Sequence, residues 1–171
     1  MPGWLDLAAL ISGQAPSRRH EGAPFRFLDL GTGMGYGLCL IAAAHPEGQF
    51  VGVDFLSDHI AHGCWLAAEL GLANVRFVEA DFLRLQQDPS PLAAADGIAA
   101  PFAYVVAHGI ATWVSAKVRQ ALLAVASAQL EPGGIFYCSY NTHPGWLSRT
   151  PFQALLLLEQ QRSDPSDPRQ S

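Results

Sequence analysis

The chain has 171 residues, half of them hydrophobic, and its 15 acidic residues against 10 lysines and arginines give a formal charge of −5. This size predicts one domain, and this charge argues against a broad nucleic-acid-binding face, which needs clustered basic residues. We expect no membrane span, no leader peptide and, with three cysteines that lack C-x-x-C spacing, no disulfide framework or zinc site. A cytoplasmic location follows as an expectation.

Apolar runs and helical patterns alternate along most of the chain. Residues 4–11 predict an N-terminal helix, and a Gly-, Pro- and Ser-rich linker extends to Pro24. The predicted strands are 25–30, 49–54, 75–79, 102–107 and 135–140, and the later helices are 36–44, 57–70, 115–130 and 151–161. Ser57 or Asp58 is expected to cap the 57–70 helix. Residues 83–100 predict a loop with one helical turn near 91–95, and residues 162–171 predict a disordered tail.

This alternation is typical of an α/β fold with helices on both faces of a parallel sheet. We predict a Rossmann-like, doubly wound sheet of about five parallel strands in the order 3-2-1-4-5. Right-handed crossovers then place a ligand crevice at the carboxyl ends of the strands. The predicted organisation is a helix and linker at 1–24, the ligand-binding domain at 25–161 and the tail at 162–171.

A glycine-rich turn follows the first predicted strand, with glycines at 31, 33, 35 and 37. Alternating glycines predict that the backbone passes close to a ligand, because glycine accepts a positive φ. The following helix would offer unpaired N–H groups at its first turn. The G-x-G-x-x-G fingerprint of dinucleotide sites does not fit, since Tyr36 or Leu38 stands at its third glycine. An NAD-dependent oxidoreductase is therefore the weakest functional hypothesis.

The acidic residue before these glycines carries a family resemblance. Asp29, Gly31, Gly33 and Gly35 together resemble the first motif of class I S-adenosylmethionine (SAM) methyltransferases. The resemblance implies SAM as cofactor and S-adenosylhomocysteine as product. It implies that Asp54, at the end of the second strand, accepts hydrogen bonds from the ribose hydroxyls. The cofactor-binding residues that we predict are Asp29, Gly31, Thr32, Gly33, Gly35, Asp54, Phe55, Asp81, Phe82 and His108, with Asp81 and Phe82 at the adenine.

The segments after the fourth and fifth strands narrow the resemblance. Residues 108–115, His-Gly-Ile-Ala-Thr-Trp-Val-Ser, and 139–146, Ser-Tyr-Asn-Thr-His-Pro-Gly-Trp, resemble a bacterial group of class I methyltransferases often joined to a methyltransferase regulatory domain. The resemblance covers about residues 25–146, with Ala111 where the group usually has an aromatic residue. Some members resemble protein-lysine methyltransferases. We expect methyl transfer to a small molecule or a protein side chain, and a non-catalytic SAM-binding module is the alternative.

Several residues keep two interpretations. His108 and Asn141 are candidate catalytic residues that orient the acceptor or cover the methionine part of SAM, or else His108 caps its loop and Asn141 forms an Asx turn. Trp113 and Trp146 line an acceptor pocket, or they anchor loops. His59 and His62 stand three positions apart on the predicted helix, but Cys64 lies on a different face, so we expect a solvated helix flank rather than a metal site.

Class I methyltransferases usually continue past the fifth strand into two more strands, whereas one helix and a polar tail follow here. The resemblance therefore implies a truncated domain. It would leave residues 135–140 as an exposed apolar edge, and we predict self-association through that edge.

Overall fold

The computed structural model describes residues 2–15, 22–93, 101–142 and 144–163. The chain divides into two compact units, Met1–Ser139 and Tyr140–Ser171.

The first unit contains five strands and five helices within its described residues. The helices are α1 (Pro2–Ile11), α2 (Tyr36–Ala44), α3 (Ser57–Glu69), α4 (Phe82–Gln87) and α5 (Ala116–Gln129). The strands are β1 (Phe25–Leu30), β2 (Gly48–Asp54), β3 (Val75–Glu79), β4 (Phe102–Ala107) and β5 (Leu130–Cys138). The alternation that the sequence predicts is thus confirmed.

The five strands form one parallel sheet in the order β3-β2-β1-β4-β5, as predicted. Asp29 of β1 lies opposite Gly52 of β2 on one side and Val106 of β4 on the other. Asp54 pairs with Glu79 of β3. The carboxyl ends of β1, β2, β3 and β4 therefore meet at one edge of the sheet, where a doubly wound fold places its ligand crevice.

Hydrophobic clusters cover both faces of the sheet. Alternate residues of β1 enter different clusters because successive strand side chains point to opposite faces. Leu28 and Leu30 pack with the cluster that includes Leu85 of α4 and Leu122 of α5. Phe27 packs with the other cluster, to which α1 and α2 contribute. All six residues of β4 are buried, as expected of a strand with neighbours on both sides and cover on both faces.

Two local predictions are wrong. Residues 83–100 are not simply a loop, because α4 occupies 82–87 and buries Phe82 and Leu85, three positions apart. A 3-10 turn at Ser90–Leu92 does overlap the helical turn predicted near 91–95, whose last two residues lie outside the described chain. Neither Ser57 nor Asp58 caps α3. Its N-cap is Leu56, which has no capping side chain.

The limits of β5 also differ from the prediction. It begins directly after α5, at Leu130, so residues 131–134, Glu-Pro-Gly-Gly, lie inside the strand, where the pairing register shifts. Gly133 there has φ +84°, and this conformation accommodates the irregularity. The strand ends at Cys138 rather than at Tyr140.

The second unit contains a 3-10 turn at Leu147–Arg149 and the helix α6 (Thr150–Ser163), which confirms a helix at 151–161. The helix extends into the predicted tail, whose residues 164–171 are outside the described chain. No strand follows β5 in the described parts of this unit. Among all residues that the structure describes, no helix is both long and apolar enough to cross a membrane.

Candidate functional site

A cavity of about 440 Å³ lies at the carboxyl ends of β1 to β4. Its volume is within the range of roughly 300–1,000 Å³ that small-molecule sites occupy. Segments after four successive strands of the chain line it. They contribute Gly31, Gly33, Asp54, Phe55, His59, Ala80, Asp81, Phe82, His108, Gly109, Ile110, Trp113, Val114, Ser115 and Val118.

The glycine turn adopts the conformation that its sequence predicts. Gly31, Gly33 and Gly35 have φ values of +84°, +57° and +81°. A Cβ at Gly31 would lie 2.6 Å from Cδ1 of Ile110, and one at Gly35 would lie 2.7 Å from the ring of Phe77. A Cβ at Gly33 would meet nothing within 4 Å. The first and third glycines are therefore required by packing, whereas the second borders open space at the cavity.

Asp54 ties the glycine turn to the end of β2. It is buried, and its Oδ2 accepts a hydrogen bond from the Gly33 N–H at 2.9 Å while its Oδ1 accepts one from the Leu56 N–H at 3.0 Å. Nδ1 of His59 lies 3.3 Å from Oδ1. Each carboxylate oxygen can accept a second hydrogen bond, so these contacts leave capacity for a ligand. Asp54 thus combines a turn-capping role with a place in the cavity.

Asp81 likewise forms a local hydrogen bond and lines the cavity. Its Oδ1 accepts a hydrogen bond from the Arg84 N–H at 2.7 Å and caps α4. The side chain also lines the cavity, beside Phe82. Phe82 packs in the core cluster of α4 and α5 as well. For this acid, capping the helix and lining the cavity are therefore compatible.

Asp29, near the end of β1, is not among the residues that line the cavity. Burial raises the pKa of its carboxyl from 3.8 to about 6, the Thr32 hydroxyl and His108 lower it, and Asp54 raises it further. Thr32 Oγ1 is buried and has no partner at full hydrogen-bonding geometry within the described chain. We therefore attribute its effect on Asp29 to proximity. Among the described residues no lysine or arginine acts on this carboxyl, and desolvation therefore dominates its pKa.

His108 stands at the end of β4 and is held by β5. Its Nδ1 lies 3.0 Å from the Ser139 hydroxyl oxygen, which also accepts the Gly109 N–H at 2.7 Å. The rings of His108 and Tyr137 stack with centroids 6.0 Å apart and planes at 22°. The sequence analysis did not single out Ser139. The predicted strand order could have indicated that Ser139 lies near His108, because it places the ends of β4 and β5 side by side.

The remaining candidates fall in different places. Gly35 and Thr32, like Asp29, do not line the cavity, whereas Trp113 lines it with 58% of its surface exposed. Asn141 and Trp146 belong to the second unit, where the Arg149 guanidinium lies 5.4 Å from the Trp146 ring. Their predicted roles stay predictions.

The histidines of α3 do not form a metal site. His62 donates a hydrogen bond from Nδ1 to the Met34 carbonyl at 2.8 Å and accepts one from the Tyr36 hydroxyl at 3.1 Å, so it braces the glycine turn. No group of three or more metal-ligating side chains occurs in the described residues. His59 is a cavity residue that the sequence analysis treated as solvated.

A family model described as a methyltransferase domain matches residues 23–162. The chain belongs to this methyltransferase domain family. An uncharacterized protein of Synechocystis is 35% identical over 133 residues, which are 78% of this chain and 24% of that protein. An uncharacterized protein of Rickettsia prowazekii is 30% identical over 141 residues, or 82% of this chain and 52% of the relative. The methyltransferase domain thus spans about half, or less, of the length of these relatives.

A solved structure extends the comparison. PKMT2 from Rickettsia typhi, in complex with AdoHcy, matches with a TM-score of 0.76 and 27% identity, over 96% of this chain and 29% of that one. A tRNA (guanine-N(7)-)-methyltransferase of Dechloromonas aromatica is 26% identical over 141 residues, 79% of this chain and 51% of the enzyme. The class predicted from the glycine turn is confirmed at the level of a methyltransferase domain. The further resemblance to the group with a regulatory domain stays a prediction.

Proposed function

We propose that this methyltransferase domain binds SAM in the 440 Å³ cavity and transfers its methyl group to a small molecule or a protein side chain. One observation carries the proposal: the ends of β1, β2, β3 and β4 bring the glycine turn, Asp54, Asp81 and His108 to the same cavity. The AdoHcy complex of the Rickettsia typhi neighbour supports it. AdoHcy is SAM after loss of the methyl group.

The residues present fit this cofactor. Gly33 leaves open space at the turn, as a close backbone approach to a ligand requires. Asp54 retains acceptor capacity for ribose hydroxyls, and Asp81, Phe55 and Phe82 also line the cavity. The buried carboxyl of Asp29, with its pKa raised to about 6, suits a nearby ligand cation. SAM carries two cationic groups, its ammonium and its sulfonium.

When bound, SAM supplies an activated methyl group, and its sulfur takes the electron pair of the broken C–S bond. The domain's own part is alignment, which contributes up to roughly 7–11 kcal/mol in well-oriented reactions. Ile110, Val114 and Val118 provide apolar walls that exclude water from one side of the cavity. Asp54 fixes the turn through Gly33, so the cavity is shaped before a ligand enters.

Calorimetry with SAM, AdoHcy and NAD⁺ tests the binding step. We expect SAM and AdoHcy to bind and NAD⁺ not to bind, because the turn lacks the glycine that a pyrophosphate site needs. Binding of NAD⁺ alone, or of none of the three to a folded sample, would contradict the proposal. Labelled methyl transfer from SAM into a bacterial lysate then separates an enzyme from the alternative, a non-catalytic SAM-binding module.

The Asp54→Asn variant tests the ribose role. Asparagine keeps one oxygen acceptor, so the turn can retain part of its hydrogen bonding while one ribose acceptor is lost. We expect affinity for SAM to fall about tenfold, equivalent to one lost charge-assisted hydrogen bond. An unfolding measurement on the same sample shows whether the turn survives. Unchanged affinity in a folded variant would remove Asp54 from this role.

A further inference from the structure

A second cavity, of about 330 Å³, lies at the amino ends of β1, β2 and β3, at the end of the sheet opposite the first cavity. The first residues of these strands and the loops that lead into them line it. Its volume is at the lower end of the range of small-molecule sites, roughly 300–1,000 Å³. The two cavities share no described lining residue, so this one is a separate place for a ligand.

Strand register places three polar side chains of this cavity on one face of the sheet. Arg26 of β1 pairs with Gln49 of β2, and Arg76 of β3 pairs with Val51, two residues further along β2. Paired residues, and residues two apart in a strand, point to the same face. Val51 belongs to the core cluster that α4 and α5 cover. Arg26, Gln49 and Arg76 therefore form a polar row across the start of the sheet, and all three line the cavity.

Backbone carbonyls of one short segment hold both guanidinium groups. Arg26 donates from Nη2 to the Leu92 carbonyl at 2.9 Å. Arg76 donates to the carbonyls on either side of it, from Nη1 to Pro91 at 2.9 Å and from Nη2 to Ala93 at 2.6 Å. Because three consecutive residues accept these bonds, the two guanidinium groups lie side by side. Their positions are thus fixed before any ligand enters.

These contacts do not neutralise the charge of Arg76. Carbonyl oxygens satisfy N–H groups but carry no net charge, and no carboxylate of the described residues forms an ion pair with Arg76. Burial lowers the pKa of its guanidinium, as expected of a cation that has lost water without gaining an anion. The carbonyls take two of its five N–H groups, so donors remain for a ligand.

Gln49 and Glu47 add to the polar lining. Gln49 is exposed, and its amide forms no hydrogen bond within the part of the chain that the structure describes, so its NH₂ group can serve an acceptor beside the arginines. Glu47 is the one acid of the described lining, and its Oε1 lies 3.1 Å from Nδ1 of His45. This cavity thus has two cations against one acid, whereas the first cavity has two acids and no lysine or arginine among its described lining residues.

We propose that the second cavity binds a small molecule through a phosphate group, which Arg26 and Arg76 hold and the Gln49 amide contacts. A guanidinium presents paired N–H groups that match phosphate oxygens, and two guanidinium groups already fixed in place lose little freedom on binding. The volume suits a small ligand, either inorganic phosphate or a phosphate ester. The site does not rest on the proposed function, because its lining residues belong to a different cavity.

Amide NMR of the labelled full-length chain, titrated at constant pH and ionic strength, tests the site with inorganic phosphate and glycerol 3-phosphate. We expect saturable shifts at Gln49 and Arg76, with a dissociation constant of about 1 mM or lower for at least one probe, and no shifts at Gly31 or Gly33. Tighter binding of glycerol 3-phosphate assigns an ester, and tighter binding of phosphate assigns the free ion. Shifts confined to the glycine turn, or shifts that do not saturate, would overturn the site. Oligouridylate that shifts Gln49 and Arg76 when neither small probe does would overturn the small-molecule assignment.

Three variants test the residues. Arg76→Gln removes one cation, and Gln49→Glu places a carboxylate beside both arginines without removing their carbonyl bonds. Each should weaken phosphate binding at least about tenfold, as expected for a lost charge-assisted hydrogen bond. Arg84→Gln, the same change at an exposed position of α4 outside the lining, should stay within about twofold. Gln49→Glu keeps the test decisive if Arg76→Gln does not fold. Unchanged affinity in Gln49→Glu, or an equal loss in Arg84→Gln, refutes the proposal.

Discussion

Replacing Asp29 by asparagine tests how this domain sets up its binding turn. The carboxyl at the end of β1 is desolvated by the surrounding protein, and the charged groups that act on it are His108 and the acid Asp54. Burial therefore favours the neutral form, and its pKa rises to about 6. Asparagine has nearly the same shape and stays neutral at every pH. The substitution removes the cost of a buried charge with little change in packing.

The magnitude follows from the two pKa values. The unfolded carboxyl has a pKa of 3.8 and the native one of about 6, a difference of about 2.2 units. At 1.36 kcal/mol per unit this corresponds to about 3 kcal/mol. Between these values the native state binds more protons than the unfolded state, so stability falls as pH rises from about 4 to 6. The loss is complete above the native pKa.

Urea unfolding of the ligand-free chain from pH 4 to pH 8 measures this effect. The free energy of unfolding of Asp29→Asn should differ little from that of the unaltered chain at pH 4. At pH 7.5 it should exceed that of the unaltered chain by about 3 kcal/mol. Glu69→Gln, at an exposed position near the end of α3, is the matched control and should show no such rise. A stability difference that does not change with pH, or that falls as pH rises, would refute the reasoning.

The same substitution separates stability from binding. If the Asp29 carboxylate stabilises a nearby ligand cation, the stabilised Asp29→Asn chain should bind SAM at least about tenfold more weakly at pH 7.5. A gain in stability combined with a loss of affinity would show that the domain keeps an unfavourable buried charge for its ligand. A stabilised variant with unchanged affinity would remove Asp29 from the cofactor site.

Three further predictions concern the turn, a loop and the sheet edge. In urea unfolding, Gly35→Ala should destabilise the fold by about 3 kcal/mol, because it adds a Cβ at a positive φ and against the Phe77 ring. Gly33→Ala should destabilise it by about 1–2 kcal/mol, yet it should weaken SAM binding more than Gly35→Ala does. Asn74→Ala should cost about 2 kcal/mol, because its Nδ2 donates to three backbone carbonyls within 3.1 Å; an unchanged midpoint would contradict this. The chain should self-associate in sedimentation velocity, with stronger amide protection at 135–138 in the oligomer, since β5 ends the strand order. A stable monomer at every concentration would exclude that association.

Much of the fold could be predicted because it depends on local patterns. Continuous apolar runs such as Phe102–Ala107 predicted buried parallel strands, and alternation with helices then left few strand orders to consider. The errors arose where distant contacts override local signals. The segment after Asp81 forms α4 because Phe82 and Leu85 find a core on the sheet, a surface that no local pattern reveals. The N-cap of α3 was predicted wrongly because the side chain that accepts a hydrogen bond there belongs to Asp54. Its Oδ1 accepts from the N–H of Leu56, two residues later in the chain.

By itself, the sequence determined the glycine turn and the acids at the strand ends, because these follow from backbone sterics and the order of residues along the chain. The resemblance of this motif to class I methyltransferases indicated the class. Only the tertiary structure decided what those residues do together. It joined Asp54 to Gly33 across 21 positions and His108 to Ser139 across 31, and it buried Asp29 enough to raise its pKa to about 6. Hydrogen bonds and desolvation depend on which groups meet in space, and sheet pairing brings together groups that lie far apart in the chain.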